Sequence, residues 1–348
     1  MATALAPVEE RLEAIWEPPP SLYAELASVD HKTIGKRYLV TAFVFLLIGG
    51  VEALFMRAQL ARPENHLLSP EAYDQLFTMH GTTMIFWYAS PILSGFSNYL
   101  VPLLLGSRDM AFPRLNAFSY WSFLLSGLVL YTGLALGLGP HGGWFAYPPY
   151  TGPAYSPGLN MDFYTLALLF LSISATAGAI NFIVTIFKIR CPGMSLSRMP
   201  LLMWSTLTTS VATLFALPPL SAALVFLELE RRYGFHFFDP AAGGHPLLWQ
   251  HLFWVFGHPW VYIIILPATG MISVMLPAFC RRPIVGHTWI AMATVATGIA
   301  GFGVWAHHMF ATGIPELSTT FFSAGSMTVS IPSGIQLFAW LATIWGAR

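Results

Sequence analysis

The sequence predicts an all-α membrane protein of about eight transmembrane helices, and three observations carry the prediction. Of its 348 residues, 55% are hydrophobic and only 9% charged, against about 25% charged in a soluble domain, so water cannot be the chain's only solvent. Eight stretches reach the roughly 20 apolar residues that a helix needs to cross a hydrocarbon core of about 30 Å. The breaks between them are short and rich in Gly, Pro and other turn residues.

Taken in order, residues 1–30 open with "MATALAPVEERLEAIWEPPP". That stretch is acidic and proline-rich with no apolar run, so it is not a signal peptide. It reads as a solvated cytoplasmic arm with a short helix at 8–16. Residues 31–348 read as one transmembrane domain. The first span covers 38–57, and the second, 78–104, is closed by "GSRDMAFPR". The third, 117–138, ends at "GPHGGWFAYPPYTGP", and the fourth, 162–188, at "KIRCPGMSLSR". The fifth, 200–228, runs into "ERRYGFHFFDPAAGGHP", and the sixth, 248–276, into "CRRP". The seventh, 284–312, stops at "TGIPE", and 319–346 is the eighth.

Positive charge orients the bundle. With a cytoplasmic N-terminus, twelve Lys and Arg residues fall on that side, among them Arg11, Lys36, Arg108, Lys188, Arg281 and Arg348. Only Arg57, Arg62, Arg231 and Arg232 fall on the other, so both termini are expected in the cytoplasm. Sixteen basic against sixteen acidic residues gives no reason to expect nucleic acid as a partner. Cys191 and Cys280 have neither a disulfide framework nor the spacing of a metal site.

An ionisable residue inside a membrane helix is costly and marks a functional site by default. In "WQHLFWVFGHPWVYIIILP" (249–267), His258 and Tyr262 stand four apart and share a helix face. Pro259 disturbs the helix between them. In the next span, "VWAHHMF" carries His307 and His308. Adjacent helical residues point about 100° apart, so one pocket takes both only near a helix end or distortion, which glycines 298, 301, 303 and 313 allow. Three imidazoles from two helices, without Cys or carboxylate, suit copper or zinc; the alternative is that each histidine only bonds a backbone carbonyl or a neighbouring helix.

His80 opens "TMHGTTMIFW", where Gly81, Thr82 and Thr83 leave room for a planar group, as a haem axial ligand would need; an interfacial histidine is the alternative. Asp109, with Asn98 and Asn116, could start a water-filled proton path at the cytoplasmic end of the second span, or Asp109 could pair with Arg108 or Arg114.

With these residues assembled, the chain resembles subunit I of the haem–copper oxygen reductases, most closely the A type found in cytochrome c oxidases. The resemblance runs from "SVDHKTIGKRYL" at 28–39 to the last residue, through "MRAQL", "MHGTTMIF", "RDMAFPRLN", "GGWFAYPP", "WQHLFWVFGHPWVY", "VWAHHMF" and "SIPSGIQLFAWLATIWG". It implies that His258, His307 and His308 bind the active-site copper, Cu-B. It implies that Tyr262 is the tyrosine joined to the first of those histidines, that Trp254 stands beside the site, and that His80 is one axial ligand of the low-spin haem. Arg57 matches the arginine at that haem's formyl edge. Asp109, Asn98 and Asn116 match the entrance of the D proton path. The implied cofactors are a low-spin haem, a high-spin haem expected to be haem A, and Cu-B copper. The implied reaction is reduction of O2 to water in a bacterial inner membrane, with membrane lipid around the chain. Electrons would come from cytochrome c through a copper-bearing subunit II, among other oxidase subunits. Quinol is disfavoured, because the residues the quinol branch uses are Ile48, Glu52 and Ala72 here.

Three departures bear on that reading. The family's "GHPEVY" glutamate is Trp260 here, and "FG" at 256–257 excludes the alternative Tyr-Ser arrangement. The lysine of the family's "IPTGIK" is Gln336, which can hydrogen-bond water but cannot titrate near neutral pH. Both proton routes are therefore expected to pump weakly or not at all. The third departure is length: the family has twelve helices, and its last four carry the proximal ligand of the high-spin haem and the second ligand of the low-spin haem. A second chain is expected to supply them, or the gene product is longer. His251 reads as structural, bonding within its helix start. The competing functions are a non-catalytic oxidase-like subunit or assembly partner, and nitric-oxide reduction with iron in place of Cu-B, against which Tyr262 and the A-type loops argue.

Overall fold

The computed structural model describes residues 7, 8, 10, 12, 21–345 and 347; among these there are helices and connecting turns and no strand. The short helix expected at 8–16 lies largely outside them. A short helix α1 (Leu22–Ala27) precedes α2 (His31–Gln59), whose N-cap Asp30 accepts from the Lys32 and Thr33 amides at 3.0 and 3.1 Å. Such a cap satisfies donors that the first helical turn leaves orphaned.

The second predicted span is a continuous helical run built from α3 (Pro70–Thr82), a π-helical segment (Thr83–Ala89) and α4 (Ser90–Leu105). It starts about eight residues earlier than the apolar pattern indicates, because Ser69 caps it and Pro70 occupies the first turn. The widening to π lies just ahead of Pro91, which supplies no N–H and whose ring crowds the carbonyl one turn back.

The remaining helices are α5 (Pro113–Ala135), α6 (Asn160–Lys188), α7 (Leu201–Tyr233), α8 (Pro246–Cys280), α9 (His287–Phe302), α10 (Glu316–Thr328) and α11 (Ser330–Trp345). A 3₁₀ segment, Trp305–Thr312, joins α9 to α10. Among the described residues, seven helical stretches are each long and apolar enough to cross a membrane, and Pro70–Leu105 supplies the eighth predicted span as a composite. The chain is an integral membrane protein on this ground. Large apolar side chains such as Leu54, Phe215 and Ile299 face outward, as they do where lipid is the solvent.

Consecutive helices α5 to α8 pack side by side, while α2 lies against α4 and α9 against both α7 and α11. The main core joins α2 to α8 through large buried side chains, among them Phe45, Trp87, Phe123, Tyr164 and Phe253. Where helices approach most closely, a glycine stands at the contact. A Cβ on Gly270 of α8 would lie 2.0 Å from Ser205 Oγ and 3.1 Å from Leu202 Cα on α7. Gly270→Val is therefore expected to destabilise the bundle by about 1–3 kcal/mol or more. A lower unfolding midpoint in detergent would register this, and an unchanged midpoint would mean the two helices part there without strain.

Candidate metal centre

His258 sits near the middle of α8, one residue before Pro259, and is only 5% exposed. His307 and His308 are brought towards it by the way the seventh span ends. Helix α9 stops at Phe302, Gly303 follows, and the chain continues as the tighter 3₁₀ segment with a non-helical Met309. That break lets two sequence neighbours point into one pocket, which an unbroken α-helix would not allow.

One nitrogen from each of the three rings lies within 4.8 Å of the others. His258 Nδ1 and His308 Nε2 face each other at 3.0 Å. Two nitrogens bound at about 2.0–2.1 Å to one ion, near a right angle, lie about 3 Å apart, so the pair fits a shared metal. The donor set, three imidazoles and no carboxylate or thiolate, suits copper or zinc.

The supporting groups set which nitrogens face inward. Ser326 on α10 donates its hydroxyl proton to Phe322 O at 2.6 Å, so it accepts from His307 Nδ1–H at 2.7 Å. That leaves His307 Nε2 unprotonated for a metal, the arrangement expected of a supported ligand. His308 is held from the other side by Trp254, stacked on it at 4.0 Å and 4°, and Trp254 Nε1 donates to the Tyr147 hydroxyl. Tyr262 packs against His258 with ring centroids 4.8 Å apart, and His258 Nε2 is a buried atom without a protein partner. The sequence offers no signal for Ser326, and Tyr147 lies in the quoted motif "GGWFAYPP" with nothing in its spacing to link it to Trp254. Ser326→Ala is expected to free the His307 ring and weaken metal binding about 10–100-fold. Metal content after dialysis against a graded chelator would measure it, and unaltered retention would remove Ser326 from the site.

His80 lies apart from this cluster, in the last turn of α3. Its Nδ1 donates to Gly49 O on α2 at 2.8 Å, which leaves Nε2 as the free ligating atom and fits an axial haem ligand. The small residues after it do not stand open as expected. Gly81 faces Trp144, Thr82 bonds back to Thr78 O, and Thr83 bonds the Tyr131 hydroxyl. Arg57 is exposed in the last turn of α2. His251 also differs from expectation: its Nδ1 accepts from Trp305 Nε1 at 3.3 Å, a bond to another element rather than within its own helix start.

At the opposite end, Asp109 pairs with neither Arg108 nor Arg114 among the described residues; its carboxylate accepts from Met110 N at 2.7 Å. Burial pushes this carboxyl up from its ordinary value, against the pull of the Met110 amide and of His31 nearby. His31 Nδ1 donates to Asn98 O at 3.0 Å, and Asn98 and Asn116 are both buried. Asn98 Oδ1 and both amide atoms of Asn116 have no protein partner. Asn98 lines a cavity of about 90 Å³ with several hydroxyls, including those of Ser94, Ser97, Thr209 and Thr213, and with Trp260. Thr206 Oγ1 and Trp260 Nε1, both on its wall, are also buried without partners. Buried polar atoms normally find water when protein fails them, and the volume holds several molecules. Gln336 lies elsewhere, on α11, buried with its Nε2 unpartnered.

Comparison with known proteins agrees with this architecture. A family model described as "Cytochrome C and Quinol oxidase polypeptide I" matches residues 33–348. The chain is 46% identical over 325 residues to "Cytochrome c oxidase subunit 1" of Bacillus sp. (strain PS3), covering 93% of this chain and 53% of that protein. It is 43% identical to the Bacillus subtilis (strain 168) protein of that name, covering 100% and 54%. It is 47% identical over 324 residues to a "Probable cytochrome c oxidase subunit 1-alpha" of Streptomyces coelicolor, covering 92% and 55%. Thus the chain spans about half the length of the curated relatives it matches. A heme-copper terminal oxidase solved as a dimer by cryo-EM shares the fold, with TM-score 0.71 at 20% identity, over 90% of this chain and 52% of that one.

Proposed function

The chain belongs to the cytochrome c and quinol oxidase polypeptide I family, and from that premise we propose that it acts as subunit I of a membrane oxygen reductase, in which four electrons and four protons convert O2 to two waters. The observation that carries this reading is the convergence of His258, His307 and His308, each offering a nitrogen within 4.8 Å of the others.

These three side chains would hold Cu-B. A copper ion bound there, with a high-spin haem opposite, supplies the redox chemistry. The chain's own residues do the rest. Ser326 keeps the His307 proton on Nδ1, and Trp254 pins the His308 ring by stacking. Tyr262, whose ring packs against His258, would supply a phenolic proton and an electron to the reaction. Phe253 and Trp254, packed edge to face, keep bulk water from this side of the pocket. His80 would carry the low-spin haem, with Arg57 at its edge, and the high-spin haem would be haem A. Asp109, Asn98 and Asn116 would form the mouth of the hydroxyl-lined cavity as a proton entrance.

Electrons would arrive from cytochrome c through a copper-bearing subunit II, since of the three positions a quinol site uses, Ile48, Glu52 and Ala72, only Glu52 keeps a polar group. The proximal ligand of the high-spin haem and the second ligand of the low-spin haem would come from outside these residues, which span about half of the curated relatives' length. Helices α10 and α11 expose Leu317, Phe321, Phe338 and Trp345, which suits a protein neighbour there. Bacterial relatives support an inner-membrane location, and the twelve-to-four charge bias supports a topology in which both termini would be cytoplasmic. Trp260 and Gln336 favour one competing reading, a non-catalytic oxidase-like subunit.

Metal analysis, a reduced-minus-oxidised haem spectrum and O2 consumption by the isolated membrane complex separate the two. Copper, two haems and O2 consumption are expected. A complex without copper, and without a His-x-His motif in any further membrane helix, would favour the non-catalytic reading.

A further inference from the structure

Helix α2 carries a carboxyl to which the proposed reaction gives no role. Glu52 is 4% exposed, in the membrane-spanning part of the chain. Its Oε1 accepts from the Tyr131 hydroxyl on α5 at 3.1 Å, and its Oε2 is buried with no partner. The Tyr131 oxygen also lies 2.7 Å from Thr83 Oγ1. Tyr131 has one proton and gives it to Glu52, so Thr83 donates to Tyr131, and both hydroxyls point their protons towards the carboxyl.

This chain runs parallel to the link that holds His80. Gly49 and Glu52 are three residues apart on α2, and His80 and Thr83 are three apart on the facing run, so each pair shares a helix face. One rung is His80 Nδ1 to Gly49 O, and the next is Thr83 to Tyr131 to Glu52. The elements are close-packed here: a Cβ on Gly49 would lie 2.9 Å from Met84 Sδ. Glu52 therefore stands one helical turn from the carbonyl that orients His80.

From α5 Glu52 faces Tyr131; α3, the π segment and α4 set no charged or titratable side chain against it among the described residues, and the next ionisable residue on α2 is the exposed Arg57. A buried carboxylate without a cation is costly, and its charge is most favourable when a positive charge lies nearby.

We infer that Glu52 is a proton site linked to the redox state of the haem that His80 would hold, an inference that rests on the His80 assignment proposed above. A ferric haem carries a positive charge that favours the Glu52 carboxylate; reduction removes that charge and favours the acid. When a one-electron donor, the copper of subunit II or ferrous cytochrome c, turns ferric haem into ferrous haem, the Glu52 carboxylate takes one proton from water and becomes the carboxylic acid. Reoxidation releases both. Thr83 and Tyr131 act as positioning residues, holding Oε1 in place.

The test is a redox titration of the low-spin haem in the purified holo-complex at several pH values, with Glu52→Gln and Tyr131→Phe alongside. Gln keeps an acceptor for Tyr131, so a structural role survives the change while the proton site does not. The wild-type midpoint is expected to fall as pH rises, and Glu52→Gln to lose most of that slope with its haem spectrum intact. Tyr131→Phe is expected to keep a slope at a shifted midpoint. An intact Glu52→Gln haem with the wild-type slope overturns the inference and leaves the His80 assignment standing. Conversely, a His80→Ala complex that keeps its low-spin spectrum overturns the assignment, and the inference with it. Should Glu52→Gln fail to assemble, infrared difference spectra of the wild-type complex labelled with ¹³C-glutamate serve instead. A labelled carboxylic-acid band appearing on reduction supports the inference, and its absence overturns it.

Discussion

Replacing His258 with alanine is expected to remove copper from the complex and lower O2 consumption by more than about 100-fold. Losing a group that merely supports a ligand weakens metal binding about 10–100-fold, and His258 is proposed as a ligand itself. Its position leaves no substitute: the neighbouring residues on α8 are Gly257, Pro259 and Trp260, and none offers a metal-binding atom. Cysteine and carboxylate side chains are absent from the described cluster, so two imidazoles would remain where three converge. The haem spectrum attributed to His80 should persist, because that residue is mounted on Gly49 of α2, away from α8. His258→Asn, which retains more volume, should give the same loss and so separates ligation from packing. Wild-type copper content in either variant would defeat the assignment.

The second large effect concerns protons. In sealed vesicles, turnover is expected to consume the protons that form water and to eject few or none in addition. The cavity that Asn98 lines is also walled by Trp260, which is 4% exposed and packed on Phe256 at 5.0 Å and on Phe86 at 6.2 Å. An indole Nε1–H donates a hydrogen bond but cannot accept a proton and pass it on. Gln336, buried on α11, likewise cannot titrate. Water in the cavity could therefore bring a proton to Trp260 without a group there to hold it against a gradient. Proton-to-electron stoichiometry measured in vesicles checks this. Ejection of about one full proton per electron would show that another route exists, and the buried hydroxyl of Tyr38, 2.6 Å from Ser119 Oγ on the same cavity wall, would be the place to look.

Much of the site was legible in the sequence because the membrane makes polarity conspicuous. Against an apolar background His80, His258, Tyr262 and the His307–His308 pair stand out, and the i,i+4 spacing puts His258 and Tyr262 on one face whatever the helix packs against. What stayed illegible depends on contacts between distant residues. Ser326 meets His307 across 19 residues, Gly49 meets His80 across 31, and Tyr147 meets Trp254 across 107. No spacing rule links such pairs. The expected room after His80 was misjudged for the same reason, since Trp144 arrives from a loop to fill it. The helical run beginning at Pro70 extends beyond the apolar stretch because its first turns are polar.

By itself the sequence determined the solvent, the number of spans, the bias of charge across the bilayer and the set of side chains able to bind metal, since these follow from composition and local periodicity. Only the tertiary structure decided how two adjacent histidines share a pocket, which ring nitrogens face it, and that Glu52 stands one turn from the mount of His80. Those outcomes depend on where helices end and how closely they approach, which packing of the whole bundle sets.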